Sequence, residues 1–468
     1  MSLRRIAALA TGETFGRGMA WLTVFTLPWI LDTQQYGIVV LLATFEGVAT
    51  GVLLLGQDSA IFWRCASYRD PAEGRDCVSG AMLITGTACF TALIGCSTTA
   101  LLTGGTILGV SVWPHVWLLA IAVSLGNVNR IALAFARASG RTRAFVLDRG
   151  AVGAGRFAAT LTLAGVLGSA LSFPIGMAVG TAAGGMWLWR PFVTKGRWRG
   201  ARREVRPLLR FGAPLSAHLL AMNTINLVDR WVIGAMLGLA AVGSYGWFYM
   251  LGSGVAFVYA ALSVSYEPQI YREFQADRDI GSLREYLGMS IAAGGVYGIA
   301  GCVAASFAAR LVPESVDADP AIAAIVLIAH WFRPMYLGAT YLLSSVGRTA
   351  RVAVISGMTV AATVAANLIL IPRIGLVGGA WATLIGALML ALSGIVMLGR
   401  LSMPIRALAI PTAVVGLFAA GTLLMLDLTT FALGSVAVAI YGAHMSGLHE
   451  RILVRLRPSS GHDVQSSR

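Results

Sequence analysis

The chain has 468 residues, 57% of them hydrophobic and only 12% charged, with a formal net charge of +14. Roughly a quarter of a typical soluble domain is charged, so no soluble core absorbs this much apolar surface. The cationic excess does not mark a nucleic-acid surface, because it falls almost entirely into alternate gaps between long apolar runs.

Fourteen such runs are predicted as membrane-spanning helices, since about 20 apolar residues rising 1.5 Å each cross the hydrocarbon core. They lie near 14–31, 36–56, 78–102, 112–134, 149–168, 171–190, 208–228, 237–264, 288–311, 321–345, 350–371, 375–398, 404–426 and 429–447. The separator Gly168-Ser169-Ala170 is weak, which leaves the count at the fifth and sixth runs open. Arg4 and Arg5 precede the first run in the manner of a signal peptide. Glu13 and Arg17 interrupt it and no Ala-x-Ala-like site follows, so it reads as a retained span. Barrel strands would be shorter and alternate with period two.

The gaps carry their charge unevenly. Arg64, Arg69 and Arg75 lie between runs two and three, and Arg137, Arg141 and Arg143 between four and five. Lys195, Arg197, Arg199, Arg202, Arg203 and Arg206 lie between six and seven, and Arg451, Arg455 and Arg457 after the last. The intervening gaps hold little charge. The positive-inside rule then puts both termini in the cytoplasm. The five cysteines show no metal-ligand spacing, and no cofactor or metal site is expected.

A weak repeat divides the chain. Gly140-Arg141-Thr142 recurs as Gly347-Arg348-Thr349, 207 positions later, and the approach Leu31 to Gly37 has its counterpart in Leu237 to Gly243, 206 positions later. The expected fold is all-α: a polytopic bundle of about fourteen transmembrane helices, with two parallel six-helix lobes around a central cavity plus two C-terminal helices. The division expected is 1–193 for the first lobe, 194–207 for a basic cytoplasmic linker, 208–400 for the second lobe, 401–447 for two appended helices and 448–468 for a cytoplasmic tail. Pro334, directly after Arg333, makes the tenth run a candidate for irregular helix.

A charge at membrane depth costs about 2.5–3.5 kcal/mol on insertion scales, and so faces the bundle interior or a wet cavity. The substrate-binding candidates are Arg17, Glu46, Arg130, Arg156, His218, Asn223, Asn226, His330 and Arg333. Each has a structural alternative. Arg17 is one turn from Glu13 and can pair locally; Glu46 can neutralise an arginine; Arg130 and Arg156 can snorkel; His330 can pack as neutral imidazole; the two asparagines can join helices. The set leans basic, which suits an anion, and guanidinium forks match phosphate oxygens. Asp229 and Arg230, adjacent at the outer end of run seven, are gate candidates. No Gly-rich loop with Lys-Ser/Thr is present, and no paired acids suggest an enzyme.

With these residues in view, the chain resembles the oligosaccharide flippases and polysaccharide exporters of the multidrug/oligosaccharidyl-lipid/polysaccharide exporter superfamily. The likeness is clearest in Phe211-Gly212-Ala213-Pro214-Leu215, in Asp229 to Gly234, in Leu237-Gly238 and Val242-Gly243-Ser244-Tyr245, and in Ile371 to Ala380. It implies a non-enzymatic carrier in the bacterial inner membrane that moves a polyprenyl-pyrophosphate-linked oligosaccharide outward by alternating access. It also implies coupling to a proton or sodium gradient, and as partners the lipid-linked oligosaccharide, membrane lipids, a polysaccharide polymerase and glycosyltransferases. The alternative within the superfamily is a multidrug exporter, and the discriminator is whether arginines or acids dominate the cavity lining.

Overall fold

The computed structural model describes residues 3–65, 71–102, 105–194, 198–307, 316, 319–346, 348–400, 404–425 and 428–447. The tail 448–468, part of the linker (195–197) and Gly347 of the repeat lie outside these. Among the described residues the elements are helices α1 (Leu3–Thr26), α2 (Thr33–Leu54), α3 (Gln57–Cys65), α4 (Pro71–Leu102), α5 (Trp117–Ala138), α6 (Thr142–Leu167), α7 (Ser172–Thr194), α8 (Trp198–Leu237), α9 (Leu239–Ser253), α10 (Ala256–Asp277), α11 (Gly281–Phe307), α12 (Ala321–Trp331), α13 (Arg333–Ser345), α14 (Thr349–Ile374), α15 (Leu376–Gly399), α16 (Arg406–Met425) and α17 (Leu428–Met445). One short antiparallel hairpin, β1 (Thr106–Ile107) with β2 (Val110–Ser111), interrupts an otherwise helical chain. Its tip residues Leu108 and Gly109 both sit at positive φ.

Ten helices, or eleven if Leu239–Ser253 and Ala256–Glu267 form one broken span, are long and apolar enough to cross a membrane among the described residues. The protein is therefore an all-α, multi-pass membrane protein. The runs at 14–31, 171–190 and 208–228 are helical too, in α1, α7 and α8, but fall outside that set. Runs five and six are separate helices: α6 ends at Gly168 in the left-handed region at φ 56°, and α7 starts at Ser172. The backbone N–H of Ala170 donates to Gln35 Oε1 at 2.8 Å, which pins the turn. The tenth run breaks between Trp331 and Arg333, as Pro334 suggested: proline lacks an N–H and clashes with the turn before it.

The chain forms two compact units. The first comprises 1–257, 310–329 and 350–390, and the second 258–309, 330–349 and 391–468. In a bilayer the apolar lipid removes most of the hydrophobic drive for helix association, so close backbone packing through small residues takes over. In the first unit, Gly176, Gly180 and Gly184 recur every fourth position on α7 and meet α6. A Cβ at Gly180 would land on the backbone of Arg156, and one at Gly184 on Ala151 and Val152. The two repeat-related approaches also meet each other. Asp32 caps α2 by accepting from Gln35 N at 2.8 Å, and Gly238 at φ 89° opens α9. A Cβ on Gly243 would stand 3.1 Å from the backbone N of Gly37, its counterpart in the repeat. In the second unit, Gly288, Gly295 and Gly442 let α11 and α17 touch backbone to backbone, while α13 packs on α16. The last two helices are thus part of that unit's packing.

Candidate functional site

Helices α1, α5 and α6 of the first unit bring charged side chains together where an apolar interior would otherwise exclude them. Positions 148, 149, 152, 153 and 156 share one face of α6 because they follow the helical repeat. Gly153 on that face lets α1 approach, and a Cβ there would stand 3.3 Å from the Cα of Gly16. The small residues leave a cavity of about 50 Å³, lined among the described residues by Gly16, Asn129, Arg130, Asp148, Arg149 and Arg156, with five further small or apolar neighbours. That is room for a few water molecules or one small polar group.

The contacts are specific. Glu13 Oε1 accepts from Arg17 Nε at 2.9 Å, and Glu13 Oε2 lies 3.1 Å from Arg149 Nε. Arg156 donates through Nε to Thr181 Oγ1 at 2.8 Å and through Nη1 to Glu46 Oε1 at 3.4 Å. Gly180, one residue before Thr181, brings α7 close enough for the first of these bonds. Asp148 is fully buried, and its Oδ2 accepts from Asn129 Nδ2 at 2.9 Å. The Oδ1 atoms of both Asp148 and Asn129 are buried acceptors without a hydrogen-bond partner among the described residues. Arg130 is half-buried and makes no ion pair or hydrogen bond among the described residues. The charged lining is three arginines to one aspartate.

The candidates expected from the sequence fall in different places. Arg17, Glu46, Arg130 and Arg156 come together in this network, with Arg17 at its exposed edge (side chain 56% accessible). Asn223 instead donates to the Gly47 carbonyl at 3.0 Å and ties α8 to α2, the structural alternative weighed above. The side chains of His218 and Asn226, on α8, lie outside the described residues. His330 is buried at the end of α12 and Arg333 half-buried at the start of α13, both in the second unit. Arg333 lies near the buried hydroxyls of Tyr259 and Tyr286 and makes no ion pair or hydrogen bond among the described residues.

Asp229 and Arg230 sit about two turns before the end of α8 and are buried, so they are not at a helix end. The apolar run stops at 228 in the sequence because a charge pair interrupts it; the helix continues because the pair is mutually satisfied. Asp229 Oδ1 accepts from Arg230 Nη1 at 2.8 Å, Asp229 Oδ2 accepts from Tyr245 Oη at 2.6 Å, and the guanidinium lies 4.0 Å over the Tyr249 ring. This lock joins α8 to α9 beside the Gly37–Gly243 contact.

The residues that sequence reading passed over are Asn129, Asp148 and Arg149. The fifth run, 149–168, starts at Arg149 and leaves Asp148 outside it. The available signal was the seven-residue spacing of Arg149 and Arg156, which puts both on one face of a helix. Among the described residues no group of three or more His, Cys, Asp or Glu could hold a metal ion.

A family model described as a polysaccharide biosynthesis protein matches residues 2–266. No curated protein matches the chain. Among solved structures, the lipid II flippase MurJ in an inward closed conformation is similar with a TM-score of 0.65 at 12% identity, over 96% of this chain and 99% of that one. The MATE multidrug transporter DinF-BH is similar with a TM-score of 0.61 at 14% identity, over 86% and 96%. A MOP-superfamily transporter from Pyrococcus furiosus gives 0.54 at 17% identity, over 85% and 96%. At these identities the structures share a fold with this chain.

Proposed function

The chain belongs to the polysaccharide biosynthesis protein family, and from that premise we propose that it is a transporter of the MOP class that moves a polyprenyl-pyrophosphate-linked oligosaccharide across the bacterial cytoplasmic membrane for cell-surface or exported polysaccharide. The observation that carries this reading is the arginine cluster, above all Arg130, which no carboxylate pairs among the described residues. Guanidinium groups in a low-dielectric cleft recognise pyrophosphate oxygens through charge-assisted, bidentate bonds. The cavity of about 50 Å³ is far too small for such a substrate. Binding therefore requires the helices around it to part, which is what alternating access supplies.

The finer architecture belongs to the same proposal. Fourteen spans form two parallel six-helix lobes, 1–193 and 208–400, joined by the basic linker 194–207 and followed by two helices, with both termini cytoplasmic. Arg17, Arg130 and Arg156 meet the pyrophosphate, Glu46 exchanges Arg156 with it, and Arg333 is a further substrate-binding candidate. His218, Asn226 and His330 remain polar candidates around that path, and the Asp229–Arg230–Tyr245 lock holds the outer gate. A proton or sodium gradient drives the cycle, and polymerase and glycosyltransferases act on either side of it.

A multidrug exporter is the second reading. The carboxylates Glu13, Glu46 and Asp148 favour it, since an organic cation would seek them. The arginine excess in the lining favours the first. The deciding experiment is transport in liposomes of purified protein, comparing a pyrophosphate-linked oligosaccharide with an organic dye cation. Flipping of the glycan by the wild type, lost in Arg17→Ala and Arg130→Ala, supports the flippase. Dye transport by the wild type without glycan flipping rejects it.

A further inference from the structure

We propose that the start of α8 carries a preformed binding site for an anionic phospholipid headgroup, distinct from the arginine cluster. A cleft of about 530 Å³ opens beside this segment, lined among the described residues by Arg206, Pro207, Arg210 and Phe211. Arg206 and Arg210 are exposed, one turn apart on the same face, and neither makes an ion pair or hydrogen bond among the described residues. Arg202 and Arg203 are exposed one turn earlier.

The other face of the same helix is held firmly. Ala201 and Leu208 are fully buried, and Leu208 belongs to a core with Ile61, Val78 and Ile131. Arg64 Nε meets Glu204 Oε2 at 3.1 Å, and Gly80 of α4 lies against Ala201 and Glu204. A rigid backbone thus presents two guanidinium groups that are unpaired among the described residues, so little ordering entropy opposes a ligand that bridges them.

The ligand class follows from place and chemistry. The apolar stretch of α8 begins at Leu208, so, resting on the proposed reading of 208–228 as a span, the cleft lies at the level where that span enters the hydrocarbon. Arg206 stands just outside that level, and Arg210 one turn inside can reach back to it. Phe211, 37% exposed, supplies an apolar wall next to the guanidinium groups. A phosphodiester with acyl chains matches this combination of two cations and an apolar side, whereas free phosphate would leave the wall unused. Basic clusters immediately beside a membrane span attract anionic lipid on general grounds.

The test is native mass spectrometry of the full chain in detergent, titrated with phosphatidylglycerol, phosphatidylcholine and inorganic phosphate. The variants are Arg206→Gln/Arg210→Gln and, as a control of equal charge change, Arg141→Gln/Arg143→Gln. Expected is preferential retention of phosphatidylglycerol by the wild type, weakened about 30-fold by the first double variant and little by the second. Circular dichroism and Tm in phosphatidylcholine should match the wild type for both. The proposal is overturned if the first variant retains phosphatidylglycerol fully, or if both variants lose it equally, which would make net charge the cause. It also fails if inorganic phosphate competes as well as the lipid does.

Discussion

At the scale of single residues, Arg130 and Arg156 carry the same charge but different obligations. Arg156 is held by Glu46 and Thr181, so its loss leaves a carboxylate and a hydroxyl without their donor. Arg156→Ala should lower stability by about 1–3 kcal/mol, visible as a fall in Tm, and removing Glu46 as well should recover part of it. Arg130 has no such obligation. Arg130→Ala should leave Tm near the wild type while weakening pyrophosphate-glycan binding about 10- to 100-fold, the worth of one charge-assisted contact. Arg130→Lys should restore only part, because a point charge replaces the bidentate fork. An Arg130→Ala protein with unchanged half-saturation in the liposome assay would remove this arginine from the site. Asn223 belongs to the opposite class: Asn223→Ala should cost about 0.6 kcal/mol of stability, the usual worth of an interhelical hydrogen bond in a membrane, and leave transport intact.

Helices in this chain meet through glycine, and the consequences are local to each pair. Gly180 lies against the backbone of Arg156, where no side chain can move aside. Gly180→Ala should push α6 and α7 apart, lower Tm by an amount worth about 1–3 kcal/mol of overpacking, and weaken transport by displacing Arg156 from Thr181. Gly165, on the same α6, has nothing within 4 Å of a Cβ. Gly165→Ala should be neutral or stabilise by up to about 1 kcal/mol, because the helix gains propensity and the unfolded chain loses freedom. Equal Tm for both variants would show that the ladder on α7 is not what holds the pair. The break between α12 and α13 belongs to this scale too: Pro334 announces it in the sequence, and Arg333 is placed at the first position after it.

Over the whole molecule, the charge pattern makes a prediction that no local contact tests. If the arginine-rich gaps face the cytoplasm, a fluorescent protein fused to either terminus should fluoresce, and alkaline phosphatase fused to either should be inactive. Activity of the phosphatase at one end only would make the span count odd and set aside the parallel arrangement of the two halves. The meeting of Gly37 with Gly243 fits that arrangement, since counterparts in a repeat touch each other only near the axis that relates them.

Much of this was legible in one dimension. Membrane character, helical class, the separate identity of most helices and the basic bias of the buried charges follow from composition and run length, because the bilayer imposes one length and one polarity on every span. Four of the candidates, Arg17, Glu46, Arg130 and Arg156, were flagged for the same reason: a charge in an apolar run stands out wherever it points. Proximity was not legible. That Glu13 bridges Arg17 to Arg149, that Asp148 lies buried against Asn129 and that Arg130 makes no ion pair among the described residues depend on which helix faces meet. Those meetings are set by glycines whose partners lie far away in the chain. Asp229 and Arg230 make the same point from the other side, since a pair of charges ends an apolar run on paper, whereas in the fold each neutralises the other and the helix carries on. The sequence determines that this protein lives in a membrane and what charges it takes there; only the packing of its helices decides which of those charges are left free to bind.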